Sequence, residues 1–266
     1  KKGETMTRFL YRVPLLSVLV TISFLSANFA CAHFGMVVPS TPTVLEPDNP
    51  VELALSFSHP FEGVGMKLVK PEQFYTVRGG KKTSLLENLE ETRIMENPAY
   101  RYLFNPTRPG VYHFVMEPQP YWEPMEDRFI IHYTKTTIGV FGWDEDWQDP
   151  LGLPVEIKPL LRPFGNYQGN SFAGQVLING KPAAYAEVEV EYFNEQQTYQ
   201  APTDYHITQV ILTDDNGVFS FSCPLSGWWG FASLHTADYT VKDSEGNDKE
   251  VELGGVIWVH MGTYQK

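Results

Sequence analysis

The chain has 266 residues, 42% of them hydrophobic and 20% charged, which is enough apolar material for a substantial core and excludes a disordered tail. Lys and Arg number 20 against 32 Asp and Glu, a net charge of −12 that excludes general binding to nucleic acid or an anionic lipid surface. Aromatic residues reach 14%, beside 21 Gly and 20 Pro, a mixture that favours aromatic strands with tight turns over long helices; two cysteines make no disulfide framework.

Taken in chain order, the first segment reads as an address. Lys1, Lys2, Arg8 and Arg12 precede an apolar run from Val13 to about Leu25, and the segment ends in Ala30-Cys31-Ala32. A basic region, a short apolar core and an A-x-A site together predict a cleaved secretory signal peptide over residues 1–32. The run falls short of the roughly 20 residues of a membrane-spanning helix. Cys31 occupies a lipoprotein-like position, but Asn28-Phe29-Ala30 lacks the leucine expected three places upstream of it. Cleavage after Ala32 would make His33 the first residue and leave Cys223 as the single cysteine. It would also remove Lys1, Lys2, Glu4, Arg8 and Arg12, moving the net charge from −12 to −15. The expectation is an acidic periplasmic protein with no stable membrane insertion after signal cleavage.

Residues 33–160 then read as a first β domain. Val51 to Phe57 alternates with period two, as a half-buried strand does, and Val111 to Met116, Arg128 to Tyr133 and Thr137 to Phe141 are further predicted strands. A short helix is predicted around Ser84 to Glu91. The acidic, Pro-containing stretch from Gly142 to Leu161 reads as the interdomain connection. Residues 161–266 read as a second β domain. Phe172 to Ile178, Ala186 to Tyr192, Ile207 to Thr213, Val218 to Ser222, Trp228 to His235 and Val256 to Met261 are its strands, and Asn179-Gly180 is a hairpin signal. The expected fold is all-β: two immunoglobulin-like β-sandwich domains after the signal peptide.

The sequence lacks a G-x-S-x-G elbow, a Gly-rich phosphate loop, an H-E-x-x-H helix and a C-x-x-C pair, and Cys223 in a strand reads as an inert buried thiol. The chemistry falls on histidine instead. At a mature N-terminus, His33 would offer a free α-amine, which gives up its proton readily, beside its own imidazole, so one residue chelates one ion. His59 ends the Val51–Phe57 strand and is held extended by Pro60, a second nitrogen donor. Of the strand histidines His113 and His132, His132 is favoured as a third ligand because the acidic run Glu123 to Asp127 precedes it. The ligand expectation is therefore His33, His59 and His132. Nitrogen donors suit Ni²⁺ or Co²⁺, with Cu²⁺ and Zn²⁺ as alternatives, over Ca²⁺ or Mg²⁺. Glu62 is a candidate to orient a histidine, Met66 reads as core, His206, His235 and His260 as structural, and Asp214 to Gly217 as a turn.

Read together, several segments resemble a known family. His33-Phe34-Gly35-Met36-Val37-Val38-Pro39-Ser40, Ser58-His59-Pro60-Phe61-Glu62, Lys70-Pro71-Glu72-Gln73-Phe74, Pro120-Tyr121-Trp122-Glu123-Pro124, Gly152-Leu153-Pro154-Val155-Glu156-Ile157-Lys158-Pro159, Gly227-Trp228-Trp229-Gly230-Phe231 and Val256-Ile257-Trp258-Val259 follow in that order. In this order they look like the exported component of bacterial cobalt/nickel ABC-type (energy-coupling-factor) transport systems, a family often filed under a domain of unknown function. The resemblance implies a periplasmic auxiliary of nickel or cobalt uptake that hands its ion to the membrane subunits of the transporter. It also implies a transthyretin-like sandwich for the second domain. Two other expectations stand beside it: a copper oxidase built on a histidine brace, and a sandwich protein that holds a partner or glycan with its histidines incidental.

Overall fold

The structure, a computed structural model, describes residues 32–264; the expected signal segment lies outside the described residues except for Ala32. Fourteen strands carry the architecture. They are β1 (Phe34–Pro39), β2 (Val51–His59), β3 (Gln73–Arg78), β4 (Asn97–Phe104), β5 (Gly110–Glu117), β6 (Tyr121–Glu123), β7 (Arg128–Val140) and β8 (Val155–Pro159). After these come β9 (Ser171–Ile178), β10 (Glu187–Tyr192), β11 (Gln209–Leu212), β12 (Val218–Ser222), β13 (Gly227–Thr236) and β14 (Val251–Gly262). The helix predicted near Ser84 is a single 3-10 turn, Leu86–Asn88. No helix among the described residues is long and apolar enough to cross a membrane.

The all-β expectation holds. The β2 alternation places Val51, Leu53, Leu55 and Phe57 on one face, where they meet Phe74, Phe114, Met116, Ile130 and Ile138 from β3, β5 and β7. One side of this N-terminal sandwich is the sheet β1-β2-β4, closed by the short strand Glu90–Ile94. In the C-terminal half, β8, β9 and β12 face β10, β11, β13 and β14 over a second core containing Phe172, Val190, Trp229 and Phe231. The ladders within those two sheets are antiparallel, so this half is an immunoglobulin-like sandwich. The Asn179-Gly180 turn takes positive φ at both residues (50° and 74°), as a two-residue hairpin requires.

The two predicted domains share one sheet. β14 pairs in parallel with β7, from Phe129↔Val251 to Thr136↔Trp258, so the order β11-β10-β13-β14-β7-β5-β3 runs unbroken across both halves. The stretch read as a connection holds strand β8, with Val155 and Glu156 buried. Its prolines sit at or beyond the strand's ends, where a missing N–H is tolerated. The shared sheet is covered on its second face by β1: Phe34 and Met36 pack on Ala232, Val256 and Trp258, and Trp258 Nε1 donates to the Gly35 carbonyl at 2.8 Å. Burial also departs from the simple alternation of β10. Glu189 and Glu191, on the face that simple period-two reading gives to water, are buried.

Candidate metal centre

Three elements converge where β1 begins. His33 precedes β1, His59 is the last residue of β2, and His132 lies within β7. The ring centroids of His33 and His59 are 4.8 Å apart. Phe57 ties the third ring to the first, stacking on His33 at 5.9 Å and meeting His132 edge-on at 5.8 Å. The structure thus gathers His33, His59 and His132 into one cluster, with His33 and His132 buried and His59 partly buried. It keeps the remaining histidines apart. His113 is held in the core by Thr137 Oγ1 (2.9 Å), His260 packs on Trp228, and His206 and His235 are exposed. Met66 packs against the N-terminal core, as expected.

The loop after His59 is fixed from the other half of the molecule. Glu191 accepts from the Phe61 N–H at 3.2 Å, and Asn194 Nδ2 donates to the Phe61 carbonyl at 3.1 Å. His59 Nδ1 donates to the Ala32 carbonyl at 2.8 Å, which leaves Nε2 as its open lone pair. Across a planar peptide the oxygen and the following nitrogen are about 2.3 Å apart, so the backbone nitrogen of His33 lies within about 5 Å of His59 Nδ1.

Carboxylates surround the imidazoles. His33 Nε2 is 3.2 Å from Glu123 Oε2, and His33 Nδ1 is 3.9 Å from Glu126 Oε1. His132 Nε2 donates to Glu252 Oε1 at 3.4 Å, a bond set by the parallel register that puts Gly254 beside His132. Gly254 is required there, because a Cβ would run into Cδ2 and Nε2 of the imidazole. Arg128 bridges the acids, 3.4 Å from both Glu126 and Glu252. Three carboxylates against one guanidinium leave the cluster about two charges negative when the imidazoles are neutral, which suits a dication.

The imidazole of His33 is neutral. Burial first, then the neighbouring His59 and His132, push its pKa down to about 3, against a weaker opposing pull from Glu252. The Glu123 carboxylate therefore orients a neutral ring, whose lone pair is free for a metal without a proton to displace. Burial raises Glu252, but the hydrogen bond and charge of His132, with Arg128, outweigh it and hold that carboxyl below its ordinary value. His132 Nδ1 is buried and has no hydrogen-bond partner, and neither does Glu189 Oε2 on β10, two strands beyond β14 in the same sheet.

Among the described residues, no three His, Cys, Asp or Glu side chains converge as a finished cation cage. What lies together is two imidazoles, of His33 and His59, and the backbone nitrogen of residue 33. With Ala32 attached, that nitrogen is an amide and a poor ligand. The sequence pointed to the three histidines but not to Phe57, Arg128, Glu252 or Gly254. Only Glu123 and Glu126 left a local trace, in the acidic run before His132.

The pattern "Domain of unknown function (DUF4198)" matches residues 30–237, from just before His33 to just after β13. The chain belongs to the DUF4198 family. Solved structures similar to this DUF4198 protein include the titin immunoglobulin tandem A164-A165 (10% identity, 88% of this chain and 98% of that one, TM-score 0.22). They also include a two-domain fibronectin type III segment of chicken tenascin (13%, 85% and 98%, TM-score 0.20) and the major pilin subunit of Bacillus cereus (9%, 87% and 66%, TM-score 0.20). No curated protein matches the chain.

Proposed function

We propose that this DUF4198 protein is a periplasmic metal-binding auxiliary of nickel or cobalt uptake. Its cargo is Ni²⁺ or Co²⁺, with Cu²⁺ and Zn²⁺ as competitors, and its partners are the membrane subunits of a nickel/cobalt transporter. The supporting observation is the placement of the His33 and His59 rings 4.8 Å apart, with the residue-33 nitrogen within about 5 Å of His59 Nδ1. Cleavage after Ala32 would turn that nitrogen into an amine and remove the carbonyl that His59 Nδ1 now contacts. His33 would then bind through amine and imidazole, His59 would add a nitrogen, and His132 or a water would complete the shell. Glu123 and Glu252 hold the rings in place, and the net negative cluster offsets the charge of the ion. No covalent chemistry is involved, and the resemblance to exported components of cobalt/nickel transport systems supplies the uptake role.

The test is calorimetric titration of the chain beginning at His33 with Ni²⁺, Co²⁺, Cu²⁺ and Zn²⁺. Tight one-to-one binding of Ni²⁺ or Co²⁺ is expected, and absence of binding to all four sinks the reading. The same nitrogen set is the reason to keep a copper oxidase as the second reading. Oxygen consumption by the copper-loaded protein with a reductant would favour that oxidase; inert copper protein would favour a carrier.

A further inference from the structure

Beside the histidine cluster, on the side of β7 away from β14, lies a cleft of about 250 Å³ that shares only His132 with the ligand set of the metal reading. Its lining is mostly apolar: Phe57, Met116, Pro120, Tyr121, Trp122 and Ile130. Its two walls, residues 67–69 and 118–122, are tied by Gln119 Nε2 donating to the Lys70 carbonyl at 2.8 Å. An engineered cavity of about 150 Å³ is known to hold a benzene, so this volume holds one aromatic ring with one or two small substituents. Two polar groups break the apolar lining. Lys67 stands exposed at the mouth and makes no ion pair among the described residues. His132 borders the interior and is 1% exposed. Its Cδ2–Nε2 edge faces Gly254 and Glu252, so its Nδ1 edge turns away from β14, toward the cleft side, and that nitrogen has no partner. With Nε2–H donating to Glu252, Nδ1 is a lone pair waiting for a donor.

We propose that this cleft is a binding site for a small aromatic carboxylate bearing a ring hydroxyl or N–H. The ring lies among Phe57, Tyr121 and Trp122, the hydroxyl donates to His132 Nδ1, and the carboxylate meets Lys67. A buried acceptor left unpaired penalises any ligand lacking the donor, so recognition of the hydroxyl is the selective step. An anion is admitted to this acidic protein because the charge at the mouth is a lysine. The two sites compete for His132 Nδ1 only where that nitrogen, and not a water, completes the metal's shell, so the test of the cleft is run without metal.

The probe is 4-hydroxybenzoate, titrated into the full chain in the presence of EDTA and followed by tryptophan fluorescence and ligand-observed NMR. Saturable one-to-one binding is expected, with 4-methoxybenzoate about tenfold weaker because it has lost the donor. Lys67→Ala, an exposed change, should weaken 4-hydroxybenzoate several-fold, and Val69→Trp at the rim should abolish its binding while leaving the far-ultraviolet circular dichroism unchanged. No saturable binding overturns the proposal, as does binding that is indifferent to the methyl ether and to both variants. Metal affinity plays no part in any of these outcomes, so failure here leaves the metal reading standing and the reverse also holds.

Discussion

Strand β7 carries two buried polar centres three residues apart, and they are built on opposite principles. At Lys135 the ammonium and Glu156 pair at 2.5 Å with both side chains almost wholly buried. Glu156 also accepts from the N–H groups of Leu151 and Gly152. Burial raises the Glu156 carboxyl, but the charge and hydrogen bond of Lys135 and those backbone donors hold it ionised, below its ordinary value. That centre is closed: charge balances charge and the acceptors are filled. At His132 the balance fails. Nδ1 has no partner, and the carboxylates outnumber the single guanidinium. A native protein fills its buried polar groups almost everywhere, so the open lone pair of His132 is the feature that the proposed binding functions draw on.

The greatest loss of stability is expected at the closed centre. Lys135→Met leaves Glu156 buried without its partner and should lower unfolding free energy by about 3–5 kcal/mol, measured by urea denaturation at pH 7. The double change Lys135→Met with Glu156→Leu should recover much of that loss. A single variant as stable as the parent would mean the pair is not the strut described.

At the open centre stability and function part company. His59→Ala should weaken Ni²⁺ or Co²⁺ binding by about a hundredfold or more, through loss of a nitrogen ligand, on the scale of single-site losses at metal centres. Its ring is only partly buried, so the melting temperature should shift by a few degrees at most. Parallel loss of both properties would make His59 a structural residue like His113.

Glu189 sharpens the contrast further. Burial, then the nearby Glu252 and Glu191, push its carboxyl up to about 8. The folded protein therefore holds this proton above the ordinary pKa of 4.5, so its contribution is complete below that value and is lost as pH rises toward about 8. Glu189→Gln should remove that decline and stabilise the protein at pH 9 by about 2 kcal/mol, read from denaturation at a series of pH values. An unchanged pH slope would show that the carboxylate has found a partner.

The smallest expected effect is at His113, with burial as the main cause holding its pKa down to about 4. Here the unfolded chain takes up the proton first, so stability is complete above pH 6.5 and falls as pH drops toward about 4. His113→Gln should flatten that acid limb by about 1 kcal/mol.

What could be read from the chain before folding follows from how local each feature is. The β2 strand showed itself because Val51, Leu53, Leu55 and Phe57 are spaced by two, and Asn179-Gly180 because such a pair accepts two positive φ angles in succession at little cost. His33 was legible through its position after the Ala30-Cys31-Ala32 site, and His59 through the proline that follows it. The parallel pairing of β7 with β14 left no local signal, since it joins residues about 120 apart, and with it went Glu252, Gly254 and the continuity of the large sheet. The stretch 142–161 was misleading for the same reason. Its prolines and acids resemble a linker until Lys135, on another strand, is seen to need Glu156. The burial of Glu191 was likewise not legible, because nothing in β10 announces the 59–62 loop whose Phe61 N–H it receives.

The central claim is that the amine of His33, and not the imidazoles alone, completes the metal site. The direct measurement compares Ni²⁺ and Co²⁺ affinity of the chain beginning at His33 with that of the same chain carrying one extra residue before it. The account predicts tight binding in the first and a loss of at least a hundredfold in the second, with equal thermal stability of the two metal-free proteins. Equal affinities would contradict it and leave the histidine cluster without the ligand that the fold brings to its edge.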